Sequence, residues 1–167
     1  MNEEVIKEVD NLSMGLITPE AFFKKYPEYN SSSKLQALLI ECINNKNTDD
    51  FDCLYVMAGK LGLDNSYCEI FHQLLTYDWH EEHSNIVESL KRIKSETSLI
   101  HFYNLINKRF DCYKYDKTRS LARRCINAIA FYNTAKAKEM IIKLTTDEDE
   151  IIREESTKVL KHLMIEN

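Results

Sequence analysis

The sequence predicts an all-α fold built from paired helices, and three observations carry that expectation. Breakers are scarce: 167 residues hold Gly 3 and Pro 2, too few for the tight turns of a β-sandwich. Apolar residues recur at helical spacing, as in Leu35, Leu38, Leu39, Cys42 and Ile43, and no stretch alternates for long enough to compete as a strand. The second half also repeats its own apolar pattern, as successive helical hairpins would.

The elements follow in order. A first helix is expected over Asn2 to Leu12, burying Val5, Ile6 and Val9 and stopping at Gly15. Thr18-Pro19-Glu20 reads as an N-cap, a proline at the first helical position and an acid in the first turn. The helix it starts carries Ala21, Phe22 and Phe23 and must end near Tyr26, because Pro27 restricts the residue before it. Ser31-Ser32-Ser33 opens the next helix. Thr48-Asp49-Asp50 is expected to cap another, with Phe51, Leu54, Tyr55, Ala58 and Leu61 on one side and an end at Gly62. Asn65-Ser66 opens a helix with Tyr67, Ile70, Phe71, Leu74 and Leu75.

A shift of 39 positions (126 − 87) places Val87 on Ile126, Leu90 on Ile129, Ile93 on Tyr132, Phe102 on Ile141 and Leu105 on Leu144. A shift of 31 positions (160 − 129) places Ile152 on Leu121, Val159 on Ala128 and Leu160 on Ile129. Paired helices at a period of roughly 40 residues signal HEAT-like stacked hairpins, an α-α superhelix in which each pair buries its apolar face on its neighbour. The expected organisation is one helical domain over 1–167, with irregular helices over 1–76 and HEAT-like pairs over 77–167. An irregular helical bundle is the competing arrangement.

Hydrophobic residues make up 44% and charged residues 29%, an ordinary globular balance. The acidic start Met1-Asn2-Glu3-Glu4 has no apolar h-region, and no apolar run is long enough to span a bilayer. Cys42, Cys53, Cys68, Cys112 and Cys125 are odd in number and contain no CxxC pair. Buried, reduced thiols in a cytoplasmic protein are therefore expected. A net charge of -5 disfavours nucleic acid as a partner, since phosphate neutralisation needs a basic face.

The densest cluster of reactive side chains is Trp79, His80, Glu81, Glu82 and His83. Its plain reading is a helix start, with the two acids favoured by the helix dipole and Trp79 tucked against the preceding hairpin. Its functional reading is partner contact. A metal is disfavoured, because the histidines stand at i and i+3 where the common zinc motif needs i and i+4. Lys108, Arg109, Lys114, Lys117, Arg119, Arg123 and Arg124 form a basic stretch. Leu121, Cys125 and Ala128 make one side of that helix core, leaving Arg123 and Arg124 as a solvated face pairing with acids. Asp147-Glu148-Asp149-Glu150 precedes the last helix; capping accounts for part of it, and the surplus with Glu154 and Glu155 makes an acidic end that would steer a basic partner. On the helix after Thr97, the stripe Leu99, Phe102, Leu105 and Ile106 leaves His101, Asn104 and Lys108 outward. No nucleophile–base pair, phosphate-cradling glycine loop or paired carboxylates in an apolar pocket are visible, so no catalytic residue, metal or cofactor is expected.

Several segments resemble a known family. Asp78-Trp79-His80-Glu81-Glu82-His83-Ser84-Asn85-Ile86-Val87 resembles the Trp-His-x-x-His-Glu-Asp-Ile-Val signature of small bacterial HEAT-repeat proteins. Ile17 to Pro27 is similar to their early helix, and Tyr115-Asp116 followed by Leu121-Ala122-Arg123-Arg124-Cys125 is similar to their Tyr-Asp … Leu-Ala-Arg-Lys-Cys segment. Ala128-Ile129 and Asn133-Thr134-Ala135 continue the likeness, which covers most of the chain. Ser84-Asn85 departs from it, standing where the family often carries Glu-Asp. Members look like immunity proteins of polymorphic toxin systems, which bind and neutralise a cognate toxin. The resemblance thus implies a cytoplasmic binding protein with a protein toxin as partner and no role at a membrane. The contact candidates are Tyr77, Asp78, Trp79, His80, Glu81, Glu82, His83, His101 and Asn104. The alternatives are a generic HEAT-type scaffold, a metal-dependent enzyme at His80, Glu81 and His83, and a DNA glycosylase on the basic stretch. Deoxyhypusine hydroxylase, a HEAT-type enzyme, needs several His-Glu pairs, and only His80-Glu81 has that form.

Overall fold

The computed structural model describes residues 1–165 and is all-helical, with ten α-helices and no strand among those residues. None of the described helices is long and apolar enough to cross a membrane. The chain divides into two compact units, Met1–Ile70 and Phe71–Asn167.

In the first unit, α1 (Glu3–Ser13) starts where Asn2 Oδ1 accepts the Val5 N–H at 2.9 Å, and it buries Val5, Val9 and Leu12. Gly15, at φ +74°, turns the chain just beyond it. α2 (Pro19–Lys25) is capped by Thr18 and starts on Pro19, as its sequence predicts, and ends before Pro27, which opens a 3₁₀ turn over Pro27–Tyr29. α3 (Ser32–Asn45) is capped by Ser31. α4 (Thr48–Leu61) ends at Gly62, φ +116°, but its cap is Asn47 and not the expected Thr48. Asn47 Oδ1 accepts the Asp50 N–H at 3.1 Å from extended backbone, leaving Thr48 as the first helical residue. α4 packs on both α1 and α3. The expected helix start at Asn65-Ser66 is a 3₁₀ turn, Asn65–Tyr67, after which α5 (Cys68–Leu74) continues. Tyr67 is fully buried and its hydroxyl lies 3.2 Å from the Ser32 hydroxyl, tying that turn to the start of α3.

The second unit contains α6 (His83–Ile93), α7 (Ser98–Leu105), α8 (Ser120–Phe131), α9 (Ala135–Leu144) and α10 (Glu150–Ile165). Central to it is α8, which packs on α6, α7, α9 and α10. Its Leu121, Ala122, Cys125, Ile126, Ala128 and Ile129 are all buried. That is more than a single stripe, as a helix with neighbours on several sides requires. Full burial of each large aliphatic side chain contributes about 1.5–3 kcal/mol. The Tyr132 hydroxyl, just past α8, donates to the Ser95 carbonyl at 3.0 Å and so fixes the turn between α6 and α7.

Candidate functional site

The predicted contact residues fall mostly in the 75–82 loop, between α5 and α6. As α5 ends, its last carbonyls need donors. The Leu74 carbonyl takes the Tyr77 N–H at 3.1 Å and also His80 Nε2 at 2.9 Å. His80 Nδ1 accepts the N–H of Glu82 at 3.2 Å, and Glu82 is the residue before α6. This pair of bonds requires the neutral imidazole with its proton on Nε2. One ring therefore joins the end of one helix to the beginning of the next.

His83, the first residue of α6, donates from Nε2 to the Tyr77 carbonyl at 2.7 Å. Its ring stacks on His80 at 4.4 Å between centroids and on Phe110 at 3.9 Å, with Tyr113 edge-on at 6.1 Å. Trp79 lies edge-on to His80 at 5.0 Å. The five rings form a continuous packed column through the loop.

The two histidines lie inside the protein. His80 is 1% exposed and His83 0%, so neither can touch a partner while the loop holds this conformation. Of the other candidates, Trp79, Glu82 and His101 are half-buried, whereas Tyr77, Asp78, Glu81 and Asn104 are exposed. His101 lies flat on His72 at 3.8 Å, and His72 in turn is 2.9 Å from the Ser98 hydroxyl. Lys108, shortly beyond α7, donates to the Thr76 carbonyl at 3.2 Å and links that end of α7 to the loop.

Ser84 and Asn85, which depart from the resembled signature, both have local duties. The Ser84 and Tyr113 hydroxyls share a hydrogen bond of 3.1 Å, and Asn85 Nδ2 donates to Glu82 at 2.6 Å.

Burial pushes the His83 imidazole down to about 4; the Tyr77 carbonyl bond opposes that shift, while His80 and Lys108 add to it. Burial likewise lowers His80, against the bond to Leu74 and the charge of Glu82. Both rings are neutral near pH 7. With both His80 nitrogens committed to backbone groups, a metal would have to break the loop to bind them. Among the described residues, no group of three or more His, Cys, Asp or Glu side chains is arranged to hold a metal.

Four cations of the basic stretch, all arginines, make ion pairs within the protein. Arg123 pairs with Glu155 at 3.5 Å and Arg124 with Glu88 at 3.4 Å, both arginines lying on a solvated face and pairing with acids as expected from sequence. Arg109 pairs with Asp149 at 3.4 Å. Arg119 is buried, against its expected place on a basic surface. The acidic run is also partly structural: Asp149 accepts the N–H of Ile151 at 3.0 Å, and Asp147 accepts that of Asp149 at 2.9 Å. Glu155, counted in the surplus charge, is buried and held by Arg123 and Asn127. Four of the five cysteines are buried as expected, but Cys112 is exposed.

Sequence reasoning missed Phe110, Tyr113 and His72. His72 had a visible signal, a histidine embedded in the apolar run Ile70 to Leu75. Phe110, between Arg109 and Asp111, is an isolated aromatic in a polar segment, a weaker one. Compared with models of protein families, with curated proteins and with solved structures, the chain finds no match in any.

Proposed function

We propose that this chain is an immunity protein, which binds a cognate bacterial protein toxin and blocks it by stoichiometric association, with no chemistry of its own. The observation that carries the binding part is the loop over 75–82. It presents Tyr77, Asp78 and Glu81 to solvent, yet it is anchored from beneath by two buried histidines and Phe110. A surface held rigid before binding loses little entropy when a partner docks. Tyrosine with flanking carboxylates is also a good contact chemistry, giving apolar area, a hydroxyl and charge for a basic partner.

Stacked HEAT-like hairpins are the scaffold we assign to the second unit. What supports them is the agreement between repeat positions. Val87 and Ile126, Leu90 and Ile129, Phe102 and Ile141, and Leu105 and Leu144 are buried in both members of each pair, while Ile93 and Tyr132 are half-buried together. The packing of α8 on α6 and of α10 on α8 supports the same register. The toxin itself rests on the resemblance of Asp78 to Val87, and of Tyr115 to Cys125, to bacterial immunity proteins.

The test is rescue. A candidate toxin, sought first among the products of the neighbouring genes, is expressed with and without the chain, and the purified pair is examined for a stoichiometric complex. Survival that depends on the chain, together with the complex, is the expected result. Cells that die equally in both cases would remove the reading.

A further inference from the structure

We propose that the stacked His80–His83 pair is an acid-released clasp: while both rings are neutral it pins the 75–82 loop, and proton uptake by the pair frees that loop, with Tyr77, Asp78 and Glu81, while the helices stay folded. This goes beyond the toxin reading and does not depend on what the loop binds.

The hydrogen bonds explain why the clasp works only when neutral. His80 donates to the Leu74 carbonyl and accepts from the Glu82 N–H. A second proton, on Nδ1, would set N–H against N–H and take the acceptor away from Glu82. His83 donates from Nε2 to Tyr77, and its buried Nδ1 has no hydrogen-bond partner. A proton there would be a desolvated charge without an acceptor. Two imidazolium rings would also face one another at 4.4 Å, and the second would sit at the N-terminus of α6, where the helix dipole disfavours a cation.

The surrounding groups do not offset this. Asp78 and Glu82, from the loop itself, favour the charged forms, and Lys108, from the segment after α7, opposes His83. Phe110 on the far side carries no charge, and the Tyr113 phenol and Cys112 thiol of the 3₁₀ turn over Asp111–Tyr113 have raised pKa values, so they stay neutral in acid. The sign follows: both rings titrate below the ordinary histidine value of about 6.5 when clasped, so the released loop takes up protons more readily. The clasp holds above that value and is lost as pH falls through the clasped one, about 4 for His83.

Trp79, the single tryptophan, sits against His80 and reports on the clasp without a label. The experiment uses the whole chain. Histidine ring resonances, tryptophan fluorescence, helical circular dichroism and amide-exchange protection are followed from about pH 7.5 to about pH 4. We expect protection over 75–82 to fall by at least about tenfold on acidification, with Trp79 emission changing in step and the helical signal kept. H83F and H80Q should each flatten that response. Loop protection that stays constant until the whole protein unfolds would overturn the clasp, as would ring resonances titrating at or above the ordinary value. If either variant fails to fold, the wild-type titration alone decides between these outcomes.

Discussion

Arg119 and Asp149 form an ion pair of 2.9 Å that joins the starts of α8 and α10 to the end of α7. Arg119 immediately precedes α8 in left-handed backbone, φ +55°, and is 7% exposed. Its Nη2 donates to the Ile106 carbonyl at 3.0 Å, just past α7. Asp149 uses one oxygen for Arg119 and Arg109 and the other for the first N–H groups of α10. Two helix ends with unpaired backbone groups, the end of α7 and the start of α10, are thus satisfied by two side chains.

Removing either member should therefore cost more than a surface ion pair does. R119M leaves Asp149 with only the exposed Arg109 and strips the Ile106 carbonyl of its donor. A loss of about 3 kcal/mol is expected, as for one partner of a buried pair. D149A should lose about 1 kcal/mol more from the missing cap. R109A, at an exposed position, should cost under about 1 kcal/mol. Urea midpoints of the three variants and of R119M/D149A check the order; an R119M midpoint equal to that of R109A would contradict it.

The proposed hairpin repeat makes a second expectation, that equivalent positions respond alike. Leu90 and Ile129 are both 0% exposed, and so are Phe102 and Ile141. L90A and I129A should each destabilise by about 2–5 kcal/mol through lost burial and a residual cavity. I100S and I142S, on exposed residues of α7 and α9, should stay within about 0.5 kcal/mol of wild type. Thermal unfolding compares them directly. A large loss from only one member of a buried pair would break the equivalence of the two hairpins.

The parts legible in sequence are those governed by local chemistry. Thr18 and Ser31 announce their helices because a short oxygen-bearing side chain before an apolar run has few other roles. The choice between Asn47 and Thr48 was not legible, since both residue types cap well and only the extended backbone at Asn47 decides. The histidine motif was legible as a cluster and not as a buried one. Its packing partner Phe110 lies far along the chain, and no local spacing encodes a ring stack at that separation. Arg119 was unreadable for the same reason, because its burial depends on the distant Asp149.

Asp116 provides a pH-dependent test. Its two oxygens accept the N–H and hydroxyl of both Thr118 and Ser120, at 2.6 to 2.9 Å, just ahead of α8. Those bonds, Ser120 first and then Thr118, hold its carboxyl well below the usual carboxylate range. A depressed folded value means that the stabilisation is full above the unfolded value, about 3.9, and is lost as pH falls through the folded one. D116A should cost about 1 kcal/mol at neutral pH, as a lost cap does. The gap between variant and wild type should narrow only in strong acid. A difference that stayed constant down to the lowest pH at which both proteins fold would show that the charge plays no part.

The thiols separate by exposure, and their reactivity should show it. Cys112 is exposed, while Cys42, Cys53, Cys68 and Cys125 are buried. Burial also raises the pKa of Cys42 and Cys53 to about 11 and pushes Cys125 higher still, leaving almost no thiolate at neutral pH. Cys112 is raised as well, by partial burial and then by the nearby charge of Glu81, so it should react more slowly than a free thiol. In the native protein, a thiol reagent such as dithiobisnitrobenzoate should label Cys112 alone, and the other four should follow only in denaturant. C112S should abolish the native phase and leave the denatured one intact. E81Q should speed that phase slightly, because removing the nearby carboxylate makes the thiolate easier to form. Rapid native labelling of a second cysteine would show that one of the helical cores opens far more often than its packing implies.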